Sequence, residues 1–200
     1  MSHILVILAH PAQGSFNHAI AGAVLTELSK NGYDHTFHDL YLENFPPVLP
    51  AGEIPADAPV PPLIGEHCRD LLAADGIVIV HPNWWGQPPA ILTGWIDRVF
   101  RPRMAYRFVE GDSGEGVPSG LLKAGKAVVF NTSNTPPGRE REVFGDPLER
   151  IWKDCVFGLC GIDEVIRRTF SVVVTGTHEE RTKWLKEAGE IVGAVFPPQR

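Results

Sequence analysis

ILVILAHPAQGSFN, residues 4–17, decides how the chain is read. Ile4 to Ala9 run without a polar interruption, as a strand buried on both faces does. The run is too short for a membrane span or a signal core, and no basic segment precedes it. Its exit passes through His10, Pro11, Gly14 and two capping residues, Ser15 and Asn17, which is more than a turn requires. Ser15 and Asn17 can each cap a helix, and the free amides of a first helical turn form an anion site. Gly14 lets backbone come close to a ligand. His10, held at the strand's end, can add a donor to a phosphate oxygen. Ordinary capping without an anion accounts for the same residues equally well.

Working outward, short apolar runs alternate with helical patterns along the whole chain. Ile20, Val24, Leu25 and Leu28 mark a helix from Asn17 to Asn31, stopped at Asn31-Gly32. Residues 34–40 read as a weaker strand, 63–74 as a helix, 76–80 as a strand and 89–100 as a helix. Residues 126–131 read as a strand, 147–159 as a helix, 165–175 as a strand and 178–195 as a closing helix. Strands apolar on both faces and separated by helices imply a parallel sheet covered on two sides. Five such strands in 200 residues fit one α/β domain, residues 1–200, with a doubly wound sheet. In such sheets ligands sit beyond the carboxyl ends of the strands, at the switch point.

Two segments fall outside the alternation. Residues 44–62 hold seven prolines and read as an extended surface excursion. Residues 110–120 are glycine-rich and acidic, and read as a mobile loop or hairpin.

The bulk composition narrows the function classes. A net charge of -6 argues against a nucleic-acid or anionic-membrane surface. No stretch reaches the length of a membrane span. Three cysteines without metal-type spacing read as reduced thiols of a cytoplasmic protein. Eight histidines show no metal spacing either. His35 and His38 read as surface-strand residues, and no metal is expected.

Two more loops fall on the edge that carries HPAQGSFN. After the third strand comes HPNWWGQPP, residues 81–89. Adjacent Trp84 and Trp85 cannot both enter one core, so at least one lies against something flat, a partner or solvent. After the fourth strand comes NTSNTPPG, residues 131–138, rich in donors but without a strong base or nucleophile. Singly, each loop has a plain structural explanation. Together, an anion cradle, an aromatic wall and a polar ring-edge loop describe a bound flavin nucleotide.

At these motifs the chain resembles the flavodoxin-like NAD(P)H:quinone oxidoreductases of the DT-diaphorase type. The resemblance rests on LAHPAQGSFN (8–17), PNWWGQPPAILTGWIDRVF (82–100) and VVFNTSN (128–134). It implies a flavodoxin-like fold and a homodimer. It also implies two-electron hydride transfer from NAD(P)H to a quinone or similar small acceptor, by a ping-pong mechanism. The family pattern places His10, Ser15, Phe16 and Asn17 at the flavin phosphate. Pro82, Asn83, Trp84, Trp85 and Gly86 would line the isoalloxazine, with Asn131, Thr132, Ser133 and Asn134 at its polar edge. FAD is the expected flavin and FMN the second choice, with Arg103, Tyr106 and Arg107 as candidates for an adenosine pocket. Family members place a tyrosine and a histidine shortly after the third loop. Here PGREREVFGD, residues 137–146, holds neither, so the proton donor is open and Arg139 is the candidate. A flavin-bearing electron carrier or regulatory subunit acting through a protein partner is the alternative, and a flavin-free interaction protein is the third reading.

Overall fold

The computed structural model describes residues 2–55, 57–108, 116 and 118–199. In chain order the elements begin with β1 (His3–Leu8), α1 (Phe16–Lys30), β2 (Asp34–Asp39), α2 (Pro62–Ala73), β3 (Gly76–Pro82) and α3 (Ala90–Val99). A short antiparallel pair follows, β4 (Tyr106–Arg107) with β5 (Ser119–Gly120). Then come β6 (Lys126–Ser133), α4 (Pro137–Glu142), α5 (Pro147–Arg150), β7 (Glu164–Ser171) and α6 (His178–Val195). Five strands form one all-parallel sheet in the order β2-β1-β3-β6-β7. The order reverses beside β1, which sets the switch point at the carboxyl ends of β1 and β3.

Alternation along each strand divides the core in two. Leu5, Ile7, Ile77, Ile79, Ala127 and Val129 face α2 and α3, with Leu71, Leu92 and Trp95 among their partners. Ile4, Val6, Leu8, Val78, Val80, Val128 and Phe130 face α1 and α6, meeting Ile20, Val24, Leu28 and Val192. The uninterrupted apolar reading of these strands follows from burial on both faces.

Four expectations need correction. The helix read over 147–159 continues past α5 as a π-helical stretch, Ile151–Phe157, and a 3-10 turn, Gly158–Cys160. Trp152 and Phe157 are both fully buried and stack at 5.5 Å, and the wider π turn puts residues five apart on one face. The strand read over 165–175 ends at Ser171, and Val173–Thr175 form a 3-10 turn. β6 continues through Ser133, because Asn131, Thr132 and Ser133 pair with Thr169, Phe170 and Ser171 of β7. Their polarity suggested a loop, but the ladder runs on.

The proline segment is the fourth. It is a strap tied to α3 rather than a surface excursion. Buried Glu53 accepts from Arg98 Nε at 3.1 Å, and its carbonyl accepts from Arg101 Nη2 at 3.1 Å. Pro47 lies so close to Gly94 that a Cβ there would sit 2.1 Å from the Pro47 carbonyl oxygen. The strap therefore runs along α3 towards the tryptophan loop. Of the acidic loop read over 110–120, residues 110–115 and 117 lie outside the described residues. Its return arm, Ser119–Gly120, pairs with β4.

Candidate functional site

The site is assembled at the switch point from three chain crossings. Ser15 caps α1, its Oγ accepting the His18 N–H at 3.4 Å. Gly14 reaches this corner at φ 72°, in the left-handed region that favours glycine. Asn17, expected as a second cap, lies inside the helix instead. It is buried, and its Nδ2 donates to Thr132 Oγ1 at 3.0 Å, tying α1 to β6. His10 Nδ1 lies 3.1 Å from the Ala12 nitrogen and 3.3 Å from the Ala12 carbonyl oxygen, so this edge of the ring is engaged by its own loop. Burial holds its pKa below the ordinary imidazole value, and the nearby His18 adds to this.

A groove of about 490 Å³ runs past this corner, lined by His10, Phe16, Asn17, Pro82, Asn83 and Trp84, and beyond them by Thr132–Thr135, Val173, Val174 and Arg181. Thus nine of the thirteen residues expected at a flavin lie on its walls; Ser15 sits at its helix end. Arg181 donates from Nη2 to the Val173 carbonyl at 2.9 Å, and its buried Nε has no partner. That orphan donor beside the groove suits an anionic ligand.

The tryptophan loop turns tightly. Trp84 and Gln87 exchange both backbone hydrogen bonds, and the two residues between them, Trp85 and Gly86, have φ of 58° and 73°. Two successive residues at positive φ are the pattern of a type I′ turn. Gly86 accepts this conformation freely, whereas Trp85 is strained by it. The outcome is unequal tryptophans. Trp84 is 41% exposed and lies 6.3 Å from the His10 ring, on the groove. Trp85 is 98% exposed, so neither ring packs into the core, and both are left facing a ligand, a partner or solvent. Trp85 instead stands between two further hollows. One, about 640 Å³, is lined by Asn83, Gly86, Asn134, Arg139, Glu140 and Phe144 among others. The second, about 600 Å³, is closed by Pro47 and Val48 of the strap.

Asn131 is the correction at the third crossing. Its side chain is fully buried and lines no part of the groove. It belongs to a hub that sequence reasoning missed. His81, at the end of β3, accepts at Nε2 from Asn131 Nδ2 at 2.8 Å and from Trp152 Nε1 at 3.0 Å. Its Nδ1 donates to the Pro82 carbonyl at 2.8 Å, so the tautomer is fixed as Nδ1–H. Burial first, then the Arg167 charge, push its pKa down to about 4. Arg167 Nη1 donates to Asn131 Oδ1 at 3.0 Å, and the guanidinium is held in turn by Glu149 and Asp146. The only signals in sequence were a histidine ending an apolar strand and a tryptophan inside a helix.

Arg139 projects from α4 into the 640 Å³ hollow, its guanidinium 5.4 Å from the Phe144 ring centre. Glu140, buried on the same short helix, accepts from Asn83 Nδ2 at 3.1 Å. This bond ties the tryptophan loop to α4.

His38 is not on the surface. It is buried, between Glu43 Oε1 at 2.9 Å and Asp70 Oδ2 at 3.0 Å. Burial opposes its charge, but the two carboxylates outweigh this and raise its pKa. Burial likewise opposes charge on Glu43, and its bonds to His38 and His67 prevail, bringing its pKa to about 2. His38, Glu43 and His67 bring ligand-type atoms within 4.8 Å of one another. Trp95 Nε1, however, donates to His67 Nδ1 at 3.1 Å, so the neutral ring carries its hydrogen on Nε2, facing Glu43. The arrangement is a hydrogen-bonded latch between β2, the turn after it and α2.

With this geometry in view, comparison with known proteins places the chain. A family model described as flavodoxin-like fold matches residues 2–192, and the chain belongs to that family. An uncharacterised NAD(P)H oxidoreductase of Haemophilus influenzae is 35% identical over 169 residues, which cover 82% of this chain and 81% of that one. NAD(P)H dehydrogenase (quinone) 1 of Rattus norvegicus is 33% identical over 124 residues, covering 52% of this chain and 45% of its own. The match thus spans less than half of the rat enzyme. The solved structure of Smu.1420 from Streptococcus mutans superposes with a TM-score of 0.81 at 29% identity, covering 95% of this chain and 98% of that chain. The resemblance read from the motifs and the doubly wound fold are borne out.

Proposed function

We propose that the chain is an NAD(P)H-dependent flavoprotein that reduces quinones or similar small acceptors by two electrons. One observation carries the reading. The groove at the α1 N-terminus and the hollow beside Trp85 share Asn83, Asn134 and Thr135, so a phosphate cradle and an acceptor chamber open into each other at the switch point. A bound isoalloxazine would supply the hydride chemistry. The chain's own part is to hold and shield. The α1 amides and His10 receive phosphate, Trp84 supplies the flat wall, and the hydroxyls of Thr132 and Ser133 line the polar side. Arg139 stands where charge on a reduced ring or an anionic acceptor would be met. Donor and acceptor take turns in one chamber, which gives ping-pong kinetics.

Among flavins, FMN suits these walls better than FAD. Tyr106, expected near an adenosine, lines a separate hollow of about 410 Å³ with Phe100, Phe108 and Cys155. The relatives named as NAD(P)H oxidoreductases support the reaction class. A homodimer is proposed as well. Trp95 and Phe100 do not supply its surface, being buried, but Trp84, Trp85, Val48 and Phe144 are exposed around the chambers. The chain has no described helix long and apolar enough to cross a membrane.

The test is absorbance. Purified protein should be yellow and bleach on adding NAD(P)H, then recover its colour with a quinone. Protein that takes up no flavin overturns the reading. Reverse-phase separation of the heat-released flavin decides between FMN and FAD, and a monomeric mass by light scattering at micromolar concentration rejects the dimer.

A further inference from the structure

We infer that His18 governs phosphate capture at the α1 N-terminus by setting which way the Ser15 hydroxyl points, so that phosphate and a proton bind together. The inference rests on the flavin reading above and concerns how the chain grips the phosphate of that cofactor.

Hydrogen counting leads to it. Ser15 Oγ lies 2.8 Å from His18 Nδ1 and also accepts the His18 backbone N–H at 3.4 Å. On the other side of the ring, His18 Nε2 lies 3.2 Å from Asp39 Oδ2. Asp39 is buried, and its remaining contacts are all donors: Gln13 Nε2 and the N–H groups of Tyr41 and Leu42, each at 3.2 Å. Its carboxylate therefore acts as an acceptor throughout, and His18 Nε2 carries a hydrogen in both charge states of the ring.

The difference falls on Nδ1. In the neutral ring Nδ1 has only a lone pair, so the 2.8 Å contact is the Ser15 hydroxyl donating to it. The hydroxyl's single hydrogen is then spent. In the imidazolium, Nδ1–H donates to Ser15 Oγ, and the hydroxyl hydrogen is free to meet a phosphate oxygen. The ring contributes positive charge at the same moment, and charge-assisted contacts are the stronger ones.

The surroundings confine the proton to this ring. His10 faces it edge-on at 6.2 Å between ring centres, but His10 Nδ1 is engaged by the Ala12 backbone and burial disfavours its charge. Asp39, from the end of β2, is the carboxylate facing His18, and Gln13 beside it is uncharged. The positive end of the α1 dipole opposes an imidazolium while the cradle is empty of anion, and a phosphate reverses that sign.

The experiment measures binding of FMN and of riboflavin, which lacks the phosphate, to the full chain freed of flavin, from pH 5.5 to 8.5. The FMN phosphate titrates near pH 6 by itself, so His18→Gln serves as the reference. Relative to that variant, wild-type affinity for FMN should fall about tenfold as pH rises, with riboflavin flat in both. Nitrogen-15 spectra of the histidine rings at pH 7 should show His18 becoming doubly protonated when FMN binds. Identical FMN profiles in wild type and His18→Gln overturn the inference and leave the flavin reading standing. So does a neutral His18 in the FMN complex. Equal loss of FMN and riboflavin binding in the variant also overturns it, in favour of a packing role. Absence of any flavin binding removes the inference and the flavin reading together.

Discussion

Trp152 gives its indole hydrogen to His81 Nε2 at 3.0 Å, and the same nitrogen takes a second hydrogen from Asn131. A ring that accepts two donors at one nitrogen cannot be protonated there without breaking both bonds.

Acid stability should register this. His81 has a folded pKa near 4 against an ordinary value of 6.5, so the unfolded chain binds the extra proton between those values. The His81 contribution is therefore complete above pH 6.5 and falls as pH drops to 4, by up to about 3 kcal/mol. The latch acts outside this window. The Glu43 contribution is present above 4.5 and is lost towards 2, while that of His38 is present below 6.5 and is lost as pH rises through its raised pKa. Urea midpoints from pH 4 to 7 should slope in wild type and flatten in His81→Gln. Parallel slopes would show that the hub does not set acid lability.

The two tryptophans should separate stability from turnover. Trp84→Ala should weaken flavin retention by about 1–2 kcal/mol, the scale of a lost aromatic contact. Trp85→Gly should leave retention intact and raise thermal stability by about 1 kcal/mol, because glycine relieves the positive φ. The same variant should lower kcat/KM for the acceptor. Flavin affinity, melting temperature and steady-state kinetics on both variants check this.

Ser15 and Asn17 should fail differently when replaced by alanine. Ser15→Ala removes a helix cap, at about 1 kcal/mol. Asn17→Ala strands the buried Thr132 hydroxyl and should cost about 1–3 kcal/mol, measurable by denaturant unfolding even without flavin. Equal, small losses in both would return Asn17 to the exposed capping role its position in the sequence suggested.

The fold was legible because its signal is periodic. Both-face burial makes β1, β3 and β6 continuous apolar runs, and α1 and α6 show their spacing openly. Much of the site was legible for another reason: helix caps, glycine and adjacent tryptophans have few ordinary uses at a strand's end. What escaped depended on partners distant in sequence. His81 meets Trp152 across 71 residues and Glu53 meets Arg98 across 45, and nothing local announces either pair. Asn131 misled because a polar side chain in a strand looks like a loop until its buried partners are seen. Trp95 is hidden in the same way, its indole hydrogen spent inside the core on His67, 28 residues earlier.

The strap should prove rigid. Gly94→Ala places a methyl group against the Pro47 carbonyl and should cost about 1–3 kcal/mol. Arg98→Ala leaves Glu53 buried and short of a partner, and should cost about 3–5 kcal/mol. Thermal melts of the two variants test both values. A neutral Gly94→Ala would mean that the strap lifts easily from α3.

Pro47 and Val48 close one hollow while taking no part in the sheet or in the groove. Trp85 is thus flanked by strap residues on one side and by Arg139 and Phe144 on the other, and the strap side can change its shape without touching the groove. One short segment, held by Glu53 and Pro47 against α3, thereby shapes the approach to Trp85 from outside the sheet.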